Sequence, residues 1–249
     1  MIEQLAKPWG ELALYHDFAL KMSNGLLPYK DFYPEYPPLS LLFFRLPLIF
    51  GTRYYMLTYY ALISIFLILT VLLIRRLKGN GWAFISVLVL GGLFWDRFDI
   101  FPAFLSLLAV AYMVKKKATL AYITLSLGFL TKIYPLLLLP VFLVYTFRDN
   151  IAFAKHRIGP SYFPGIKKAF GGIVIFSIPI AIVLHIILGY GGRNGLIKFA
   201  EFQGNRGLHV ESIRATIPLI QHLQGTRTFE TVYSHNTFEL IEKRSNQED

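Results

Sequence analysis

The chain of 249 residues has no cysteine, which excludes disulfides and thiolate chemistry and leaves the redox compartment open. No pair of histidines has the spacing of metal ligands, and no phosphate-binding glycine loop, nucleophile elbow or dinucleotide fingerprint is present. These absences argue against a soluble nucleotide-using enzyme. His185 stands alone in an apolar run, where a histidine more often bonds a neighbouring helix than a metal. No internal repeat or low-complexity tract stands out. The first thirty residues lack a basic stretch followed by an apolar one, so no signal peptide is expected there. Acidic residues are scarce, 15 Asp and Glu against 25 Lys and Arg, a formal net charge of +10. The cations punctuate apolar runs instead of gathering on one polar face, so they report topology and no nucleic-acid partner is expected.

What is abundant is apolar. The chain is 55% hydrophobic and 16% aromatic, with a mean hydropathy of +0.49, against roughly 45–50% apolar for a soluble domain. The apolar residues come in long runs, so the expected fold class is an all-α integral membrane protein in contact with the lipid bilayer. Tyr54–Ile74 is the one run of full spanning length, and it stops at Arg75, Arg76 and Lys78. Further runs are Gly81–Trp95, Ile100–Val114, Ala118–Thr131, Ile133–Phe147 and Phe170–Tyr190. Alternate junctions, at 75–78, 115–117 and 148–168, hold eleven Lys and Arg, whereas WDRFD at 95–99 and TKIYP at 131–135 hold only Arg97 and Lys132. The positive-inside rule places the basic junctions in the cytoplasm and both tips outside. Pro37–Phe50 has about half the spanning length and contains Arg45 and Pro47, so it is expected to lie at the interface without crossing. The plan is an outer loop with juxtamembrane helices over 1–53, a core of about six spans over 54–190, and a second outer segment over 191–249.

Within the first loop, GLLPYKDFYPEYPPL at 25–39 combines four prolines, four aromatics and the carboxylates Asp31 and Glu35. Prolines fix φ and push each preceding residue toward extended geometry, so this is a stiff segment. It either holds acidic groups in place or simply pins a juxtamembrane turn, with tyrosines such as Tyr36 as interfacial anchors. The four middle runs have about 14–17 residues, roughly 21–26 Å of helix against a core of about 30 Å. With their cytoplasmic ends pinned by basic residues, Asp96, Arg97, Asp99 and Lys132 would sit at membrane depth, where ionisable groups are costly unless paired or facing a wet cavity. Arg97 can pair with Asp96 or Asp99 or meet a ligand. Lys132 has no acidic neighbour in sequence, which points to a ligand or a long-range partner. In the last segment, Gly207 allows close backbone approach beside Arg206 and His209, a mix suited to phosphate or hydroxyl groups; the alternative is a solvated loop.

Five blocks in order, ELALY at 11–15, GLLPYKDFYPEYPPL at 25–39, DRFDIFPA at 96–103, TKIYPLLLLP at 131–140 and RGLHVESI at 206–213, resemble the polyprenol-phosphate-sugar-dependent glycosyltransferases of the GT-C fold, specifically glycosyltransferase family 87, the mannosyltransferase-like group. The resemblance runs over nearly the whole chain. Family members carry a helix before the first block and more helices after the last, so the resemblance implies a family core cut at both ends. It implies a GT-C-like polytopic bundle in the plasma membrane, active on its extracytoplasmic face. The implied reaction moves a hexose, mannose foremost, from a polyprenyl-phosphate donor to a hydroxyl of a glycolipid or glycan acceptor, with inversion and with no cofactor or metal indicated. The family's base is an acid just beyond the first helix, commonly an aspartate in a D-L-x-x-Y pattern. The matching residue is Glu11, a longer carboxylate, with Asp17, Asp31 and Glu35 as alternatives. Arg97, Lys132, Arg206 and His209 would surround the donor phosphate, with Asp96, Asp99 and Tyr36 nearby. Competing expectations are a transporter or flippase whose path the same charges line, and an inactive fragment. The lack of a repeat and the one-sided gathering of polar residues favour surface chemistry.

Overall fold

Proline and glycine mark the ends of the first two helices. The computed structural model describes residues 10–77, 97–155, 163–205, 207–210, 212–234 and 237–242, in two compact units, Met1–Gly195 and Leu196–Asp249. Helix α1 (Gly10–Ser23) buries Leu12, Tyr15, Phe18, Ala19 and Met22 along one stripe. It closes with Gly25 N–H on the Met22 carbonyl at 3.2 Å and Leu26 N–H on Lys21 at 3.1 Å. Gly25 sits at φ +84°, the left-handed position that glycine takes without strain. Helix α2 (Pro38–Arg45) starts on a proline, whose missing N–H is an orphan at a first turn anyway. It runs into a 3₁₀ turn, Leu46–Phe50, so the short helix expected between Pro37 and Phe50 is present.

Helix α3 (Tyr55–Arg76) follows; the run Gly81–Trp95 lies outside the described residues. Helices α4 (Ile100–Val114) and α5 (Ala118–Thr131) have the bounds of their apolar runs. The chain leaves α5 at an extended Lys132, makes a 3₁₀ turn at Tyr134–Leu138 and continues as α6 (Leu139–Lys155). Helix α7 (Phe163–Gly189) is 27 residues long. The basic stretch 148–168, expected as a loop, is therefore helical up to Lys155 and again from Phe163. Arg, Lys and Asn are tolerated in helices, so these cations mark a change of environment and not a helix end.

A core of Ala109, Met113, Ala121, Tyr122, Leu125, Phe142 and Phe176 joins α4 to α7. Alanines at the facing positions let α4 and α5 approach closely, and the Tyr122 hydroxyl bonds Thr146 Oγ1 at 3.0 Å across α5 and α6. Thr52–Arg76 and Gly165–Gly189 are each 25 residues with hydropathy 2.5, long and apolar enough to cross a membrane, and only 17% of either 18-residue window is buried. Their exposed faces carry Leu57, Ile65 and Ile68 on α3 and Ile182 and Ile186 on α7.

The antiparallel hairpin of α4 and α5 places Asp99, at the start of one, and Lys132, at the end of the other, at one end of the unit. Tyr59, near the start of α3, and Phe98, just before α4, both contact Tyr15 there. The C-terminus of α7 reaches the same end, where the hydroxyl of Tyr190 donates to the Pro28 carbonyl at 3.0 Å. The Lys115–Lys117 turn lies at the opposite end.

Helix α8 (Arg193–Asn205) leads into the second unit. That unit departs from the all-α expectation: β1 (Leu208–His209), a 3₁₀ turn at Ile213–Ala215, α9 (Thr216–Leu223), β2 (Phe229–Ser234) and β3 (Thr237–Glu242) form an antiparallel sheet of order β1-β3-β2. Leu208 and His209, expected in a loop, pair with Leu240 and Glu239. Gly207 N–H donates to Glu239 Oε1 at 3.0 Å, so a short polar run has become an edge strand. The described residues are mostly helical, with a small antiparallel sheet.

Candidate active site

Four rings from four segments, Tyr15 of α1, Tyr36 of the proline-rich loop, Phe44 of α2 and Phe98 before α4, all contact one another. Tyr15 stacks on Phe44 at 4.1 Å. The other five pairs have centroids 5.0–5.6 Å apart, steeply inclined, the edge-to-face geometry that ring quadrupoles favour. Prolines hold the loop rigid under this cluster, and the buried Tyr29 ties it down through a 2.7 Å hydrogen bond from its hydroxyl to the Tyr36 carbonyl. Gly195 makes room for the loop: a Cβ there would stand 2.0 Å from the Tyr29 carbonyl oxygen.

Charges stand on this platform. Glu11 lies one turn before Tyr15, whose hydroxyl donates to Glu11 Oε2 at 2.6 Å. Burial first, then the neighbouring Tyr36 and Glu11, push the Tyr15 phenol far above its usual range, so it stays a donor. Arg97, adjacent to Phe98, brings its Nε to 3.4 Å from Glu11 Oε1. Lys132 pairs with Asp99, and its Nζ lies 5.5 Å from the Phe98 ring centroid. The four charged side chains are 37–44% exposed, open to a ligand yet partly desolvated. The Tyr59 hydroxyl, buried and with no hydrogen-bond partner among the described residues, lies within the fields of both Glu11 and Asp99.

The structure brings together Glu11, Tyr36, Arg97, Asp99 and Lys132 from the sequence-predicted set. The local pairing expected for Arg97 is replaced in part: Asp99 goes to Lys132, and Arg97 reaches back to Glu11. Asp17 is exposed and pairs with Lys21 at 2.6 Å, one helical turn on. Asp31 shapes a turn, accepting from Leu27 N–H at 2.7 Å while its own N–H donates to the Leu27 carbonyl at 2.9 Å. Glu35 is half-buried in the loop, and His185 is exposed on α7. Asp96 and Arg206 lie outside the described residues, and His209 is described by its backbone alone, in the second unit.

The parts that sequence reasoning missed are three of the four rings, Tyr15, Phe44 and Phe98. Tyr15 carried a signal, since i and i+4 side chains share a helix face. Phe44 and Phe98 carried none, because an aromatic in an apolar run gives no hint of its partner.

A cavity of about 510 Å³ opens at the far end of α1, about 16 Å of helix rise from Glu11. It is walled by Met22, Leu27, Leu41 and Ile187, with Arg45 beside them. Among the described residues no three His, Asp or Glu side chains gather as a metal site. No family model, no curated protein and no solved structure matches the chain.

Proposed function

We propose that this protein is a membrane-embedded glycosyltransferase that moves a hexose, mannose foremost, from a polyprenyl-phosphate donor to an acceptor hydroxyl at the outer face. The observation that carries it is the Glu11 carboxylate, held by Tyr15 and flanked by Arg97, with Lys132 on the same ring platform. Two apolar helices whose windows are only 17% buried support the membrane location, because a core helix of a soluble protein hides most of its surface.

Transfer needs few groups. The acceptor oxygen attacks the anomeric carbon as the bond to the phosphate oxygen breaks. Glu11 takes the acceptor proton, and the bonding electrons leave with polyprenyl phosphate. Each oxygen of Glu11 keeps acceptor capacity beyond its present neighbour, so the carboxylate has room for that hydroxyl. Tyr15 orients it and remains protonated. Arg97 and Lys132 stabilise the charge that grows on the leaving phosphate, the electrostatic contribution such sites rely on. The apolar cavity at the far end of α1 fits a stretch of the prenyl chain.

The test is sugar transfer by the purified chain in lipid nanodiscs from a radiolabelled polyprenyl-phosphate mannose. Wild type is expected to label an acceptor glycolipid and Glu11→Gln to fail. Full activity of Glu11→Gln would remove Glu11 as base, and absence of transfer by a wild type that binds the donor would overturn the reading.

A further inference from the structure

At the end of the first unit opposite Glu11, a cavity of about 660 Å³ opens among α4, α5, α6 and α7. Lys116, Lys117, Lys167 and Lys168 line it, and no described lining residue is acidic. The rest of its wall is largely apolar, with Met113, Leu120 and Ile175.

The Lys116 backbone gives a reason beyond charge. Helix α4 closes with Lys116 N–H on the Met113 carbonyl at 3.0 Å and Lys117 N–H on Tyr112 at 2.9 Å, the pattern that Gly25 completes at the end of α1. Here the left-handed residue is Lys116, at φ +60°. An L side chain at that position is strained where glycine is not, and such strain persists where the side chain is put to use. The Lys116 ammonium stands 5.2 Å from the centroid of the Tyr145 ring, at the cavity. Gly171 also lines the cavity, and a Cβ there would meet no atom within 4 Å, so space is left beside α7.

We propose that this cavity binds an anionic phospholipid of the cytoplasmic leaflet. The lipid phosphate lies among the four lysines and an acyl chain follows the apolar wall. Basic pockets between spanning helices on that side suit anionic headgroups, and a small soluble anion has no use for the apolar wall. The inference rests on the membrane reading but not on sugar transfer.

Native mass spectrometry of the full chain, offered equal amounts of phosphatidylglycerol and phosphatidylcholine with no sugar donor present, tests it. Phosphatidylglycerol is expected to be retained preferentially. Each of Lys117→Gln, Lys167→Gln and Lys168→Gln is expected to weaken retention about fivefold. Lys116→Gly relieves the backbone strain and is expected to keep or raise the melting temperature while losing a similar factor. Gly171→Leu, which fills the open space, is expected to abolish retention. Excess inorganic phosphate is expected to leave the lipid bound. Equal retention of the two lipids, indifference to the lysine substitutions, or full displacement by inorganic phosphate would overturn the proposal. Because no donor is present, a transferase without activity leaves this readout intact.

Discussion

At one end of the first unit Arg97 and Lys132 each lie against a carboxylate, Glu11 and Asp99, whereas at the other end four lysines line a cavity with no described acidic wall. The paired end is held in place by aromatic rings; the lysine end sets four cations beside a largely apolar wall. Ion pairs as exposed as these, 37–44%, are worth only about 0–1 kcal/mol. A phosphate can therefore take Lys132 from Asp99 at little cost, which suits a site that must bind and release. With its four cations gathered beside a largely apolar wall, the lysine end suits a resident anion. The largest expected effect that tests the contrast is Glu11→Gln, which should lower transfer by about 10²–10⁴-fold, the range for losing a general base, with lipid retention unchanged. An equal loss of transfer from Lys168→Gln would break the comparison.

Lys132→Met comes next, at about 10²–10³-fold in kcat/KM. Exchanging the pair as Asp99→Lys with Lys132→Asp is expected to recover most of the thermal stability but none of the transfer, because the cation then projects from the wrong element. Recovery of transfer would mean that the charge, and not its placement over Phe98, is what the reaction uses.

How much of this was legible in the sequence differs between the two ends. Helices α4 and α5 were legible to the residue, because charged tips bound apolar runs of about one hydrocarbon leaflet and a half. Arg97, Asp99 and Lys132 were legible as candidates, since ionisable groups beside such runs demand a partner, whereas Glu11 was a candidate through the family resemblance alone. Their pairing was not: Lys132 and Asp99 stand 33 residues apart, and only the hairpin brings them together. Residues 148–155 were hidden because membrane-edge charges and helix ends differ in kind. The strand Phe229–Ser234, FETVYS, was hidden by its brevity and its polar context. Lys116 was least legible of all, because the sequence mark of a left-handed helix closure is a glycine, and the chain places a lysine there.

Gly195→Ala tests the frame beneath the Glu11 site. The added Cβ would stand 2.0 Å from the Tyr29 oxygen, so the loop must shift, and overpacking of this kind costs about 1–3 kcal/mol. Thermal unfolding should show the loss, and transfer should fall with it while the lysine cavity keeps its lipid. Tyr15→Phe is milder. It leaves the ring cluster but deletes the hydrogen bond to Glu11, and a bond to a charged group is worth about 1.5–3 kcal/mol before solvent is allowed to replace it. With Glu11 39% exposed, water replaces much of it, and a drop of about tenfold in kcat is expected with KM nearly constant.

The smallest effect is a pH dependence that only the Glu11 end should show. His16 of α1 lies 4.4 Å from Tyr55, ring to ring, and its Nε2 is buried with no hydrogen-bond partner among the described residues. Burial lowers the imidazole below its usual value of 6.5, against a weaker upward pull from Asp17. The unfolded chain therefore takes up this proton at a higher pH than the folded chain does. Stability is full above about pH 6.5 and falls as pH drops from there through the lower folded value, where it levels off. His16→Phe, which keeps the ring contact and cannot be protonated, should flatten the unfolding midpoint over that window. Among the described residues no histidine lines the lysine cavity, and lipid retention is expected not to share the slope. A slope that survives in His16→Phe would have to come from another group, and the Glu11 end would then lose its distinctive acid response.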